Sequence, residues 1–288
     1  MSFGDKLPFI STLHHAPYPA IDPRKPTSSA AGKTILITGG ATGIGFATAR
    51  NFAVAGASTI VLLARREETL QKAASELSAA FPSTQFLTYA ASITDEAEIQ
   101  KVFSSVRQTA RNKDVDVLVT CAAFIKVGTP LTGTSLSEVK TTFETNVLGN
   151  LIVVKAFLDT PKDEGKVIVD ITSYASYMAF PQAGVYGASK AAFSYMMRHV
   201  QHEHPDLRVY TLHPGAVWTP AGADIGFTKD MFTDEEDLPA QFIVWLASQE
   251  AEFLKGKFLA SHWDVTELMA NKEAFESDVD LSTIGLRR

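Results

Sequence analysis

This 288-residue chain has a single cysteine, no long apolar run and no block of basic residues. Cys121 is the only cysteine, so a disulfide within the chain is excluded, as is usual for proteins of reducing compartments. No apolar run approaches the ~18 residues that a transmembrane helix needs, and no basic region followed by an apolar stretch opens the chain. We therefore expect a cytoplasmic protein that has no membrane partner.

The charged residues are nearly balanced, because 26 Lys and Arg against 32 Asp and Glu give a formal net charge of −6. Without a basic cluster, the sequence does not favour nucleic acid as a partner. The histidines at positions 14, 15, 199, 202 and 204 lack partners at metal-ligand spacing, so we predict no metal site. The acidic run 234–237 fits the start of a helix, where negative charge is favourable.

Prolines at positions 8, 17, 19, 23 and 26 interrupt the first 32 residues, and proline at this density blocks helices and central strands. We predict that residues 1–32 form an extended arm that packs on the surface or on a partner subunit. The length allows one large α/β domain or two small ones. Because no linker divides the middle, we predict one domain over 33–262, followed by a tail over 263–288.

From residue 33 onward, short apolar runs alternate with helical patterns. The apolar runs predict seven strands. The first begins at Thr34, and the others span 58–63, 84–89, 115–120, 166–172, 207–212 and 257–260. Helices are predicted over 46–55, 65–80, 95–109, 136–157 and 183–201, and one more ends near 248. The predicted caps are Thr94 and the capping boxes Ser135 with Glu138 and Thr233 with Glu236. The alternation predicts an α/β fold, a doubly wound parallel sheet of about seven strands with helices on both faces.

The first strand leads into a glycine-rich turn, Gly39-x-x-x-Gly43-x-Gly45, and then into an alanine-rich helix. Glycines let the backbone approach a ligand closely. The start of a helix also offers free N–H groups and a positive dipole end to an anion. The turn is therefore a candidate phosphate-binding loop, although a glycine-rich turn that binds nothing has the same pattern.

Tyr186 and Lys190 are four residues apart, so they share one face of a predicted helix. An ammonium group near a phenol favours the phenolate, which makes the phenol a usable proton donor or acceptor near neutral pH. Ligands of an open parallel sheet bind beyond the carboxyl ends of the strands, and Thr172-Ser173-Tyr174 ends the fifth predicted strand. Taken alone, the pair fits an exposed helical surface equally well.

The glycine turn, Asn146, Ser173, Tyr186 and Lys190 stand together in one order and spacing, which resembles the short-chain dehydrogenase/reductase (SDR) family over roughly 33–262. The resemblance implies a Rossmann-like fold with a nicotinamide dinucleotide as cofactor. The proline-rich arm and the segment after residue 261 resemble fungal members, many of which serve secondary metabolism.

The resemblance implies a role for each matched residue. Tyr186 protonates the forming alkoxide, or deprotonates an alcohol in reverse, and Lys190 assists it and binds the nicotinamide ribose. Ser173 hydrogen-bonds the substrate oxygen, and Asn146 holds a water that links Lys190 to solvent. The implied cofactor-binding residues are Gly39, Thr42, Gly43, Ile44, Gly45, Arg65, Arg66, Ser92, Ile93, Ala122, Ala123, Asn146, Tyr186, Lys190, Pro214, Gly215, Val217 and Thr219.

The sequence departs from the family pattern in two segments. Thr120-Cys121-Ala122-Ala123 replaces the usual Asn-Asn-Ala-Gly, so that Ala123 adds a methyl group close to the nicotinamide position. Ser92 replaces the acidic residue on the adenine side. We expect these departures to bear on efficiency rather than on the reaction class.

The residues after the second strand indicate the cofactor. An NAD-preferring site usually has Asp or Glu here, accepting bonds from the ribose 2′-hydroxyl. The chain has Ala64 instead, followed by Arg65 and Arg66, whose guanidinium groups suit a 2′-phosphate. This predicts NADP(H), while the alternative is that both arginines only solvate a helix start.

A long stretch over about 219–236 precedes the last predicted helix, and loops of this length are often lids. It carries Pro220, Ile225, Phe227, Met231 and Phe232. The predicted substrate-pocket residues are Phe124, Tyr174, Phe180, Trp218 and Phe227. They favour a fairly large apolar or aromatic substrate, unless they are ordinary core or subunit-contact residues.

The predicted function is an NADPH-dependent carbonyl reductase, or the reverse alcohol dehydrogenase, that acts on a small molecule. An isomerase, dehydratase or cyclase that keeps the cofactor site without net redox is the alternative. An idle binding protein is a third reading, which the intact set of four catalytic residues disfavours. Apolar residues on more than one face of the helices over 136–157 and 183–201 predict a homodimer or homotetramer.

Overall fold

The computed structural model describes residues 7–110, 114–160, 165–224 and 226–285. Seven strands form one sheet in the order β3-β2-β1-β4-β5-β6-β7, and every neighbouring pair is parallel. The strands are β1 (Thr34–Thr38), β2 (Thr59–Ala64), β3 (Gln85–Ala90), β4 (Val117–Thr120), β5 (Val167–Ile171), β6 (Arg208–His213) and β7 (Phe258–Ala260). The predicted Rossmann-like sheet is thereby confirmed.

Helices cover both faces of this sheet. They are α1 (Gly43–Val54), α2 (Glu67–Ala80), α3 (Glu96–Thr109), α4 (Leu136–Phe143), α5 (Asn150–Leu158), α6 (Gly184–Glu203), α7 (Pro220–Asp224), α8 (Asp237–Leu246), α9 (Val265–Ala270) and α10 (Lys272–Ser277). A π-helical segment (Glu144–Gly149) joins α4 to α5. The helix predicted over 136–157 therefore runs through, but its hydrogen-bond pattern changes around Asn146.

The central strands are mostly apolar because both faces of the sheet are covered. Ile35 of β1 packs in a core that includes Phe52 of α1 and Trp245 of α8. The next residue, Leu36, belongs to a second core that includes Phe193 of α6. Since all strands run the same way, their carboxyl ends and the loops that follow meet along one edge of the sheet.

Of the caps predicted at Ser135 and Thr94, the first is present in the structure and the second is not. The box of Ser135 and Glu138 is confirmed, because each side chain accepts a hydrogen bond from the backbone N–H of the other. The cap predicted at Thr94 is wrong, because Asp95 accepts from the N–H of Glu98 at 2.9 Å. The Thr94 hydroxyl instead pairs with that of Ser92, at 2.8 Å.

The box predicted at Thr233 and Glu236 is also wrong. Glu236 immediately precedes α8 and makes no side-chain capping bond. The chain here is tied to the loop after β6, because the carboxylate of Asp234 accepts from the N–H of Ala216 at 2.5 Å. The Thr233 hydroxyl donates to the same carboxylate at 3.3 Å, so it does not reach the helix start.

The N-terminal arm packs on its own chain. Ile10 and Ile21 are buried in the core that α1 and α8 share. The hydroxyl of Tyr18 donates to the carbonyl of Trp263 and accepts from the N–H of Val265, both at 3.0 Å. The arm and the segment after β7 therefore hold each other in place.

The outer ends of the predicted arm and tail, residues 1–6 and 286–288, lie outside the described residues. Within the described ranges, no helix has the length and apolarity to cross a membrane. The same ranges contain no group of three or more His, Cys, Asp or Glu placed to hold a metal ion. His14 and His15 instead pair with Asp264 and Asp234, at 2.7 Å and 2.5 Å.

Candidate active site

The glycine turn between β1 and α1 brings two stretches of backbone very close together. Gly39 and Gly43 adopt left-handed conformations, with φ of +67° and +53°. A Cβ atom at Gly45 would lie 2.3 Å from the carbonyl oxygen of Gly39, so a larger residue would force the turn apart. The first residues of α1 line the open side of the turn, where helix N–H groups favour an anion.

The loop after β4 is held against this turn by its backbone. The hydroxyl of Thr38 accepts from the N–H groups of Cys121 and Ala122, each at 3.0 Å. The Asn150 amide donates to the carbonyl of Ala122 at 3.3 Å. Burial raises the pKa of the Cys121 thiol to about 11, so it is neutral. The loop thus keeps defined backbone contacts although its side chains depart from the family pattern.

Asn146 is fully buried in the π-helical segment, a feature often found at functional sites. Its amide oxygen accepts from the N–H of Phe124 at 2.7 Å. Its amide nitrogen donates to the carbonyl of Phe124 at 2.9 Å and to the hydroxyl of Ser189 at 3.0 Å. Asn146 therefore fixes the loop after β4 to α6, and its water-holding role stays a prediction.

Tyr186 and Lys190 lie on α6 and both line the same cleft as the glycine turn. The Lys190 ammonium is 6.0 Å from the centre of the Tyr186 ring. It donates to the carbonyl of Ile171 at 2.7 Å, which fixes α6 to the end of β5. Ser173 follows β5 and is half-buried, and its hydroxyl accepts from the N–H of Ala175 at 3.2 Å.

The cleft has a volume of about 480 Å³, within the ~300–1,000 Å³ usual for ligand sites. Most of the predicted cofactor residues line it: Gly39, Thr42, Gly43, Ile44, Arg65, Arg66, Ser92, Ile93, Ala122, Ala123, Tyr186, Lys190, Pro214 and Thr219. Gly45, Asn146, Gly215 and Val217 are not part of this lining.

The loop after β6 is shaped by a single carboxylate. Gly215 has φ of +89°, and a Cβ atom there would lie 2.4 Å from Asp234. Besides bonding Ala216, Asp234 forms a bridge with Val217 and pairs with His15 of the arm. The arm thereby supports the loop that the family resemblance assigns to the nicotinamide.

The predicted substrate-pocket residues are only partly brought together. Phe124 lines the cleft, but Tyr174, Phe180, Trp218 and Phe227 do not. Trp218 and Phe227 each pack against Phe232, with ring centres 5.4 Å and 5.9 Å apart. They form an aromatic cluster within the stretch 219–236 and at its start, while Ile225 lies outside the described residues.

Tyr174 requires a correction, because it is a core residue and only 3% exposed. The backbone after Ser173 turns into a short 3₁₀ helix, which carries the Tyr174 ring inward. The ring stacks on His213 at 3.8 Å, and its hydroxyl bonds to His262 Nε2 at 2.9 Å. Phe180 likewise packs against the core rather than the cleft.

Three residues of this region, His213, His262 and Asp170, were not identified from the sequence. Burial lowers the pKa of His213 to about 3 and that of His262 to about 4, so both are neutral supports of Tyr174. Asp170 is fully buried in β5. Its signal was a carboxylate within an otherwise apolar strand, whereas nothing in the sequence pairs His262 with Tyr174.

Comparison with known proteins identifies the family. The family described as short chain dehydrogenase matches residues 33–229. A short chain dehydrogenase/reductase of Claviceps purpurea (strain 20.1) is 39% identical over 259 residues, which cover 88% of this chain and 86% of the relative. The short chain dehydrogenase/reductase AacuD of Aspergillus aculeatus is 38% identical over 257 residues, which cover 88% of each.

A solved short-chain type dehydrogenase/reductase from Mycobacterium ulcerans is similar in structure, with a TM-score of 0.74 at 25% identity, over 81% of this chain and 89% of that one. A short chain dehydrogenase from Burkholderia cenocepacia J2315, solved in complex with NADP, has the same fold, with a TM-score of 0.70 at 22% identity over 80% and 96%. This chain therefore belongs to the short-chain dehydrogenase family, which consists generally of oxidoreductases that use NAD(P)(H).

Proposed function

We propose that this protein is an NADP(H)-dependent oxidoreductase that reduces a ketone or aldehyde to an alcohol, or catalyses the reverse oxidation. The observation that carries the proposal is the placement of Tyr186 and Lys190 on the cleft that the glycine turn lines. A proton donor and an anion-binding turn on one cleft are what carbonyl reduction by a nicotinamide requires.

The residues present fit a dinucleotide. The glycine turn has no room for a Cβ atom at Gly45 and offers the start of α1 to a phosphate. Arg65 and Arg66 are exposed on the cleft and form no ion pair in the described part of the chain, so both are available to a 2′-phosphate. The bound cofactor would supply or accept a hydride, and the protein side chains would transfer the proton and bind the substrate oxygen.

Tyr186 would give its phenolic proton to the oxygen of the carbonyl as charge develops there, or take it back in the reverse direction. Lys190 would favour the phenolate through its charge and would bind the ribose. Ser173 would donate a hydrogen bond to the same substrate oxygen. Asn146 holds the Phe124 backbone and α6 in register, so that the donors keep their geometry.

The proposed substrate class rests on one aromatic residue of the cleft and on an aromatic cluster in the stretch that follows it in the chain. Phe124 lines it, and the cluster of Trp218, Phe227 and Phe232 belongs to the stretch that we propose as a lid. Phe227 is 39% and Met231 61% exposed, so both leave apolar surface accessible in this stretch. This supports a fairly large apolar or aromatic substrate. A role in fungal secondary metabolism and a cytoplasmic location complete the proposal, supported by the fungal relatives and the single cysteine.

The proposal is tested by NADPH consumption against a panel of aromatic ketones. Tyr186→Phe should lower the turnover by ~10²–10⁴-fold, the usual contribution of a positioned general acid, with NADPH affinity nearly unchanged. Lys190→Met should lose activity and also bind NADPH more weakly. Tyr195→Phe, half-exposed on the same helix, is the matched control and should behave as wild type.

Normal turnover of Tyr186→Phe would reject the acid–base assignment. Conversion of a substrate without stoichiometric loss of NADPH absorbance would favour the isomerase, dehydratase or cyclase reading instead.

A further inference from the structure

Asp170 is a buried carboxylate to which the proposed function gives no role. It is 0% exposed, and its oxygens accept from the hydroxyls of Thr120 at 3.0 Å and Ser194 at 3.4 Å. Two neutral hydroxyl groups offset only part of the cost of burying a charge. Burial raises the pKa of Asp170 to about 6, against the opposing effect of Lys190, so the carboxylate is ionised at neutral pH.

Lys190 is the cation that acts on this carboxylate. It is 3% exposed, and its ammonium donates to the carbonyl of Ile171, the residue next to Asp170. One turn further along α6, Ser194 bonds both Asp170 and the hydroxyl of Thr172, at 3.4 Å and 2.7 Å. Two contacts one turn apart therefore fix the ammonium and the carboxylate in the same buried layer between β5 and α6.

The other groups around Asp170 do not compete for this role. The loop after β4 adds the neutral thiol of Cys121, and β6 places Thr211 beside Asp170 in the sheet. Tyr186 precedes Lys190 by one turn of α6. Lys190 is thus the one described cation that influences the charge of Asp170.

We propose that Asp170 is a positioning residue, whose buried charge is the counter-charge of the Lys190 ammonium and sets how readily the Tyr186–Lys190 pair releases a proton. This inference rests on the proposed function. A fixed negative charge opposes the loss of a proton from either group, so its removal makes that loss easier whichever of the two titrates. The effect is present above about pH 6, where Asp170 is ionised.

The test is an alkaline titration of the intact protein, followed by tyrosinate ultraviolet absorbance. Each protein is compared with its own Tyr186→Phe counterpart, so that the difference reports Tyr186. Asp170→Asn keeps the shape of the side chain and removes the charge. The midpoint of the difference titration should fall by about one pH unit.

Ser194→Ala is the matched control, because it removes a hydrogen bond to the same carboxylate without removing charge. Its midpoint should equal that of wild type. An Asp170→Asn midpoint that is unchanged or higher, or one that Ser194→Ala reproduces, would overturn the proposal and leave Asp170 a structural role. Circular dichroism checks folding, and Asp170→Ser repeats the test if the asparagine variant does not fold.

A kinetic readout separates this proposal from the proposed function. The rate of 1-tetralol oxidation with NADP⁺ should rise with pH in wild type, and the same limb should start about one pH unit lower in Asp170→Asn. Absence of oxidation by the wild type, with 1-tetralol and with the alcohols that correspond to the ketone panel, would count against the proposed function alone. The absorbance titration would still decide the role of Asp170.

Discussion

At the scale of single residues, Gly45 has no room for a side chain, because an added Cβ atom would lie 2.3 Å from the backbone oxygen of Gly39. Gly45→Ala should therefore open the turn and raise the Kd for NADPH at least about tenfold, which corresponds to about 1.4 kcal/mol. Gly133→Ala is the control, since its Cβ atom would meet only Thr129, at an ordinary 3.6 Å. Fluorescence titration with NADPH measures both, and equal affinities would show that the turn does not bind the cofactor.

Arg65 tests the choice of cofactor at the same scale. A guanidinium bound to a 2′-phosphate makes charge-assisted hydrogen bonds, each worth about 1.5–3 kcal/mol. Arg65→Ala should raise the KM for NADPH roughly tenfold or more and leave that for NADH nearly unchanged. Arg24→Ala, at an exposed arginine paired with Asp22, serves as the control. A wild type that binds both cofactors equally well would contradict the NADP preference.

At the scale of elements, the strands and helices could be predicted from the sequence where local patterns of residues determine them. All seven strands lie close to their predicted positions, because each is a short run rich in apolar residues, and all but the edge strand β3 are largely buried. The prediction of a helix cap was wrong where a long-range contact determines the local structure. Thr233 reads as a cap, but the neighbouring Asp234 is engaged by Ala216 across the loop after β6. Tyr174 stands beside a predicted catalytic serine, yet a 3₁₀ turn carries it into the core.

The ends of β6 and β7 hold two neutral histidines, which predicts a pH dependence of stability. The pKa of His262 is lowered by burial to about 4, against about 6.5 in an unfolded chain. The unfolded state therefore binds more protons between these values, and stability falls as the pH falls from about 6.5 to 4. His213 acts in the same direction, with a pKa of about 3.

His262→Gln keeps a polar partner for Tyr174 and cannot become charged. Between pH 7 and pH 4.5 it should lose about 1–2 kcal/mol less unfolding free energy than wild type. His202→Gln, at an exposed position on α6, should follow the wild type. Urea unfolding at both pH values gives the comparison, and an equal loss in all three proteins would refute the role of His262.

At the scale of the whole molecule, long-range contacts were beyond the reach of the sequence. The arm was predicted to pack on the surface or on another subunit, without a named contact. It pairs His14 with Asp264 and His15 with Asp234, across more than 200 residues of chain. Neither pair has a local spacing signal, since the two partners of each pair are far apart in the sequence. Only the folded chain brings each histidine close to its carboxylate.

Assembly is the remaining property of the whole molecule. Several of the apolar residues that suggested an interface face the protein's own core, among them Val153 and Phe157 at 0% exposure. Exposed apolar side chains nevertheless remain on α4, the π-helical segment and α6, where Leu136, Leu148 and Tyr195 are 86%, 55% and 50% exposed. Exposed apolar side chains on three neighbouring helical segments favour an interface, so we predict a homodimer or homotetramer.

Light scattering at micromolar concentration gives the mass of the wild type, which should be two or four times that of one chain. Leu148→Lys places a charge at one of these exposed apolar positions, where an interface would bury it, and should shift the mass to that of a monomer. Val279→Lys is the control, because Val279 is 77% exposed but lies in the tail. It should keep the mass of the wild type. A monomeric wild type would contradict the predicted assembly, and a Leu148→Lys protein of unchanged mass would place the interface on another surface.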